Sequence, residues 1–90
     1  MNKLIILSTA LLLSVFASAQ PDDAKNLQQT ARSFMQTGDF NNAIIVLNRA
    51  LQTDKNNLEL LKDLAMTYYL KQDYTKSYEV VKQIVDRDDA

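Results

Sequence analysis

The chain has 90 residues, of which 47% are hydrophobic and 23% are charged, and its formal net charge is -1. A chain this apolar and this close to neutral is not expected to be intrinsically disordered or to bind nucleic acid. It contains no cysteine and no histidine, which excludes disulfides, thiol nucleophiles, imidazole bases and the usual zinc sites.

The first 19 residues have the three parts of a secretory signal peptide in order. Lys3 supplies the positive end, residues 4–16 form an apolar run, and Ala17-Ser18-Ala19 is a small-x-small cleavage site. The run is shorter than the ~20 residues of a bilayer span, and the alternatives are an uncleaved anchor or a buried amphipathic helix. The signal resembles bacterial ones. We expect cleavage after Ala19 and an exported chain, periplasmic or extracellular, that keeps no stable membrane span.

The first predicted helix covers residues 24–36. Pro21 and the two aspartates after it suit a helix start, because proline is tolerated there and aspartate favours the positive end of the helix dipole. Apolar residues recur along the segment at helical spacing: Ala24, Leu27, Ala31, Phe34 and Met35. Gly38 follows, in the position where glycine commonly ends a helix.

The second predicted helix begins after Asp39, which is its expected N-cap. Its apolar positions again keep helical spacing: Phe40, Ala43, Ile44, Val46, Leu47, Ala50 and Leu51. Residues 54–57 form a polar turn. Asn56 in that turn, with Glu59 three residues later, has the form of a capping box, which predicts Asn56 as the N-cap of the third helix.

The third predicted helix covers residues 58–71, and the fourth runs from Tyr74 to about Asp86, with Asp73 as its N-cap. The apolar positions of the third helix are Leu60, Leu61, Leu64, Ala65, Tyr68 and Tyr69. The stripe predicted to be buried in the fourth consists of Tyr74, Tyr78, Val81, Ile84 and Val85, with Ser77 and Val80 at its borders. Four helices of similar length joined by short turns predict antiparallel helix pairs.

Residues 38–57 have a fainter echo 34 residues later, in residues 72–89. A self-match at that period is typical of a helical repeat protein. The residues themselves resemble the tetratricopeptide repeat family. In the first unit Gly38-Asp39-Phe40 matches the family's turn, and Ala43-Ile44 and Ala50-Leu51 match its second helix.

A second unit follows with a similar pattern of residues. Ala65 and Tyr68 match the family's first helix and Asp73-Tyr74 its turn, although Gln72 stands where the family has glycine, at a modest backbone cost. The resemblance implies an all-α fold of two stacked antiparallel helix-turn-helix hairpins. The units are residues 24–57 and 58–90, within a mature chain of residues 20–90.

The resemblance also implies a binding surface, because the first helix of each unit lines the concave wall in this family. The candidate groove residues are Gln28, Arg32, Met35, Lys62, Asp63, Met66 and Tyr69. Their mixture of polar, charged and apolar groups suits an extended peptide or a partner helix. The alternative is an ordinary solvated helix surface. Some family members clamp a C-terminal carboxylate at these places, but the acid at Asp63 would repel one.

These features predict a non-catalytic scaffold for a protein or peptide partner, without cofactor, metal or catalytic residues. The alternative is an N-terminal structural cap or spacer of a longer exported repeat protein whose activity lies elsewhere. Two units are few for a repeat array, and no polar capping helix covers the fourth helix. We expect either a longer protein, favoured because the sequence stops at a unit boundary, or self-association through that open helix.

Overall fold

The computed structural model describes residues 24–88, and every regular element in that range is an α-helix. Helix α1 spans Ala24–Gln36, α2 spans Phe40–Thr53, α3 spans Leu58–Leu70 and α4 spans Tyr74–Asp88. These elements confirm the predicted all-α fold class. The predicted signal peptide of residues 1–19 lies outside the described residues.

The helices form two antiparallel hairpins that stack in chain order. In the first hairpin α1 packs against α2, and in the second hairpin α3 packs against α4. Helix α3 also packs against α2 and touches α1, whereas α2 and α4 do not meet. Helix α3 is therefore the element that joins the two hairpins into one hydrophobic core.

The face that α3 uses within its own hairpin repeats that of α1. Leu61 and Ala65 are buried in α3, and the residues 34 positions earlier, Leu27 and Ala31, are buried in α1. The spacing of four residues places each pair on one side of its helix. The 34-residue period seen in the sequence is therefore a period of packing as well.

A second face of α3 is buried without a counterpart in α1. It carries Leu60, Leu64 and Thr67, and the Thr67 hydroxyl donates to the Asp63 carbonyl at 2.6 Å. The residues 34 positions earlier in α1 are exposed and polar: Asn26, Thr30 and Ser33. Because α3 packs against two helices and α1 mainly against one, the second face is the one that α2 covers.

The two hairpin turns share one geometry. Gly38 has φ 78° and Gln72 has φ 71°, both in the left-handed region. The backbone N–H of Asp39 donates to the Phe34 carbonyl at 2.8 Å, and that of Asp73 donates to the Tyr68 carbonyl at 2.9 Å. These bonds satisfy carbonyls that a helix C-terminus otherwise leaves without partners. Gln72 therefore adopts a conformation that glycine adopts without strain.

We expect Gln72→Gly to stabilise the protein by about 0.5–1 kcal/mol, because it relieves the left-handed strain of a side-chain-bearing residue. The matched control is Gly38→Gln, which we expect to destabilise by about 1 kcal/mol. A Cβ at position 38 meets nothing within 4 Å, so the cost there is one of backbone conformation. Urea unfolding followed by circular dichroism measures both. If Gln72→Gly were only as stable as the wild type, Gln72 would not have the left-handed backbone conformation that it shares with Gly38.

One of the three predicted helix caps was wrong. The N-cap of α3 is Asn57 and not Asn56: its side-chain oxygen accepts from the Leu60 N–H at 3.2 Å. Asp39 holds the N-cap position of α2, but its carboxylate accepts from the Asn42 side chain at 2.8 Å and makes no bond to the helix backbone. The Asp73 cap is confirmed by a bond from the Lys76 N–H at 3.3 Å.

The buried stripe predicted for α4 was wrong. The buried residues are Ser77 and Val80, which had been placed at the borders, while Ile84 is half-buried against the core. The Ser77 hydroxyl donates to the Ala65 carbonyl at 2.9 Å, and this bond requires a small side chain where α4 approaches α3. The other predicted stripe residues are exposed: Tyr74, Tyr78, Val81 and Val85.

Candidate partner-binding surface

The seven predicted groove residues all lie on α1 and α3, the first helices of the two hairpins. Three pairs among them are related by the 34-residue repeat: Gln28 with Lys62, Arg32 with Met66, and Met35 with Tyr69. Of these pairs, Arg32 with Met66 changes from a charged side chain on α1 to an apolar one on α3, whereas the other two pairs keep their character. The surface divides into two parts of different chemistry. That these residues bind a partner stays a prediction.

The first part is a polar junction made by Gln28, Arg32 and Asp63. The Asp63 carboxylate accepts from the Gln28 side-chain amide at 3.1 Å and from the Arg32 Nε at 2.8 Å. A longer contact of 3.5 Å joins the Arg32 Nη2 to the other Asp63 oxygen. The junction ties α1 to α3 across the boundary between the hairpins. A shallow depression of about 260 Å³ beside it is lined by Arg32, Met35, Gln36 and Asp63.

At the polar junction the charges of Arg32 and Asp63 neutralise each other. The hydrogen bond that Arg32 donates to Asp63, and then the charge of that carboxylate, raise the pKa of Arg32 above its ordinary value. Glu59 adds a weaker contact, with its Oε2 3.9 Å from the Arg32 Nη2. Arg32 stays charged at any physiological pH, but the Asp63 carboxylate already neutralises that charge. A ligand carboxylate would have to compete with Asp63 for it.

The second part is an apolar depression between α3 and α4, with a volume of about 520 Å³. It is lined by Lys62, Ala65, Met66, Tyr69, Ser77, Val81 and Ile84. Met66 is 52% exposed and Tyr69 57% exposed, so two large apolar groups of the wall face water. Tyr69 meets the ring of Tyr74 edge-on, with centroids 5.4 Å apart. Lys62 is the charged member of the lining.

The sequence did not predict that residues of α4 line the apolar depression. Ser77, Val81 and Ile84 line it, although sequence reasoning confined the candidate surface to the first helices of the units. A signal for it was present in the apolar stripe of α4. Helical spacing identified the stripe, but the stripe was assigned to the core and not to a surface.

Metal sites and membrane-spanning helices are both absent from residues 24–88. No group of three acidic, cysteine or histidine residues in that range is placed to hold a metal ion. Likewise, none of the four described helices is both long and apolar enough to cross a bilayer.

Comparison with protein families gives a match to a repeat family. The model of the tetratricopeptide repeat matches residues 34–90, which is more than half of the chain. The match begins near the end of α1 and includes all of α2, α3 and α4. Comparison with curated proteins and with solved structures gives no match.

Proposed function

Because the chain belongs to the tetratricopeptide repeat family, whose repeats are protein-interaction scaffolds, we propose that it binds a protein or peptide partner along the concave wall formed by α1 and α3. The scaffold is non-catalytic. It works by presenting preformed surfaces, and it needs neither cofactor nor metal.

The observation that carries this proposal is the exposure of Met66 and Tyr69 at the apolar depression. Exposed apolar groups lining a concave site are typical of places where a partner inserts its own apolar side chains. The polar junction lies farther along the same wall and offers the remaining surfaces of Gln28 and Arg32 to polar groups of the ligand. A partner peptide or helix that lies along the wall would thus contact the apolar depression at one end and the polar junction at the other.

Photo-crosslinking in the cells that make the protein tests this function. Benzoylphenylalanine at position 69 should give adducts of discrete mass, because Tyr69 faces the proposed ligand. The matched control is position 45, since Ile45 is 63% exposed on α2 and lines neither depression. Adducts that are identical from both positions, or absent from position 69, would contradict the proposal.

A structural role as a cap or spacer is the second candidate, and one observation favours it. The outer face of α1 is polar at Asn26, Thr30 and Ser33, where α3 has residues buried against α2. The Thr30 and Ser33 hydroxyls donate to carbonyls of their own helix, at 3.1 and 3.2 Å. Polar outer faces are what terminal units of repeat arrays need for solubility. A cap would give no adduct from position 69 to a separate protein.

We also propose that the chain is exported. Its support is the order of Lys3, the apolar run of residues 4–16 and the small residues before Gln20. Intact mass spectrometry of protein from the periplasmic and extracellular fractions tests this. We expect the mass of a chain that begins at Gln20. A chain that retains Met1 and is found in the cytoplasm would contradict export.

A further inference from the structure

The first hairpin shows what covers the surface that the second hairpin leaves open. In the first hairpin the stripe of α2 consists of Phe40, Ile44, Leu47 and Leu51, none of which is exposed. The residues 34 positions later on α4 are all exposed: Tyr74, Tyr78, Val81 and Val85. Leu47 is 0% exposed, whereas Val81 is 43% exposed. Helix α3 makes the difference, because it packs against α2, whereas α4 has no following helix among the described residues.

We propose that the apolar depression and the adjoining stripe of α4 bind one amphipathic helix of a partner protein, seated as α3 is seated on the first hairpin. This inference rests on the proposed interaction function and names its site and ligand. The interface between the hairpins supplies the template, since the depression continues the same packing surface by one repeat.

The contact face of α3 gives the chemistry of that helix. It consists of leucines at 60 and 64, with a carboxylate at 63 and a small residue at 67. On the first hairpin Asp63 lies against Gln28 and Arg32. Their counterparts on the second hairpin are Lys62 and Met66. Lys62 makes only a 3.8 Å contact with the exposed Glu59, so it can turn to a carboxylate of the partner.

No exposed helix face of a second copy has this chemistry. Two pairs of apolar residues lie four apart on the exposed stripe of α4: Tyr74 with Tyr78, and Val81 with Val85. Ser77 and Ile84, not a carboxylate, stand directly before the second residue of each pair. The corresponding face of α1 is polar at Asn26, Thr30 and Ser33, so docking it into an apolar groove would bury polar groups. The leucine-bearing face of α3 is already covered by α2 within its own chain. The helix that fits this site has apolar residues four apart and an acidic residue directly before the second.

A synthetic peptide with the sequence of residues 57–71 is the probe, because it copies α3. Its fluorescence anisotropy should rise on titration with the protein purified from its expressing cells. Val81→Glu should weaken binding at least tenfold, because it places a charge in the groove, and Ile45→Glu should leave binding unchanged. The Val81 variant also separates docking on the open face from exchange of the peptide with α3 in the first hairpin.

A second peptide tests the proposed pairing of Lys62 with a carboxylate of the bound helix. A peptide with lysine in place of Asp63 should bind about 5-fold more weakly, since like charges then meet, and Lys62→Glu in the protein should restore its affinity. Failure of the α3 peptide to bind, or equal binding by the wild type and Val81→Glu, would overturn the proposal. Dimerisation of the wild type that Val81→Glu abolishes would assign the face to a second copy and overturn it as well. If the peptide fails while position 69 still gives discrete adducts, the general interaction function stands without this site.

Discussion

Leu60→Ala is expected to destabilise the protein by about 2–5 kcal/mol. Leu60 is completely buried and belongs to the core that joins the two hairpins. Removing three heavy atoms there loses their transfer free energy and leaves a cavity that helices can only partly close. A domain of this size rarely has much more than ~5 kcal/mol of net stability. The variant should therefore be partly unfolded at room temperature.

Urea unfolding followed by helical circular dichroism measures this loss. The matched control is Leu70→Ala, because Leu70 is exposed at the end of the same helix. We expect the control to stay within about 0.5 kcal/mol of the wild type. A Leu60→Ala midpoint equal to that of Leu70→Ala would mean that α3 does not pack against α2 as described.

The sequence predicted the helices well because their signals are local. Helical spacing of apolar residues and the turn residues Gly38 and Asp73 each depend on a few neighbours in the chain, and the helices lie where these signals indicated. The cap of α3 was harder to predict. Asn56 and Asn57 are adjacent residues of one type, and which of them caps the helix depends on the path of the turn.

The stripe of α4 could not be assigned from sequence for a different reason. Periodicity shows that Tyr74, Tyr78 and Val81 share a face, but it does not show whether another element covers that face. Ser77 was underrated because its residue type is commonly exposed. Its burial depends on the closeness of α4 to α3 and on the acceptor that the Ala65 carbonyl provides.

The sequence placed the candidate groove residues on two helices, but it did not show which of them bond to one another. The family register placed Gln28, Arg32 and Asp63 on one wall, where the structure has them. That they bond to one another depends on the distance between hairpins, which no local pattern encodes. Lys62 lines the apolar depression together with Val81, which lies on a helix outside the predicted groove.

Helix α3 covers a surface on the first hairpin whose counterpart on the second hairpin is open among the described residues. A matched pair of substitutions 34 residues apart tests this difference. Leu47→Glu puts a carboxylate where the side chain is 0% exposed, and we expect a loss of more than about 4 kcal/mol, enough to abolish the folded state. Val81→Glu places the same group at a position 43% exposed, and we expect a change of less than about 1 kcal/mol.

The measurement is urea unfolding of the two variants beside the wild type, at one protein concentration. We expect Val81→Glu to keep a cooperative transition near that of the wild type, and Leu47→Glu to show no folded baseline. Similar losses in both variants would contradict this expectation, because the two positions would then be covered alike.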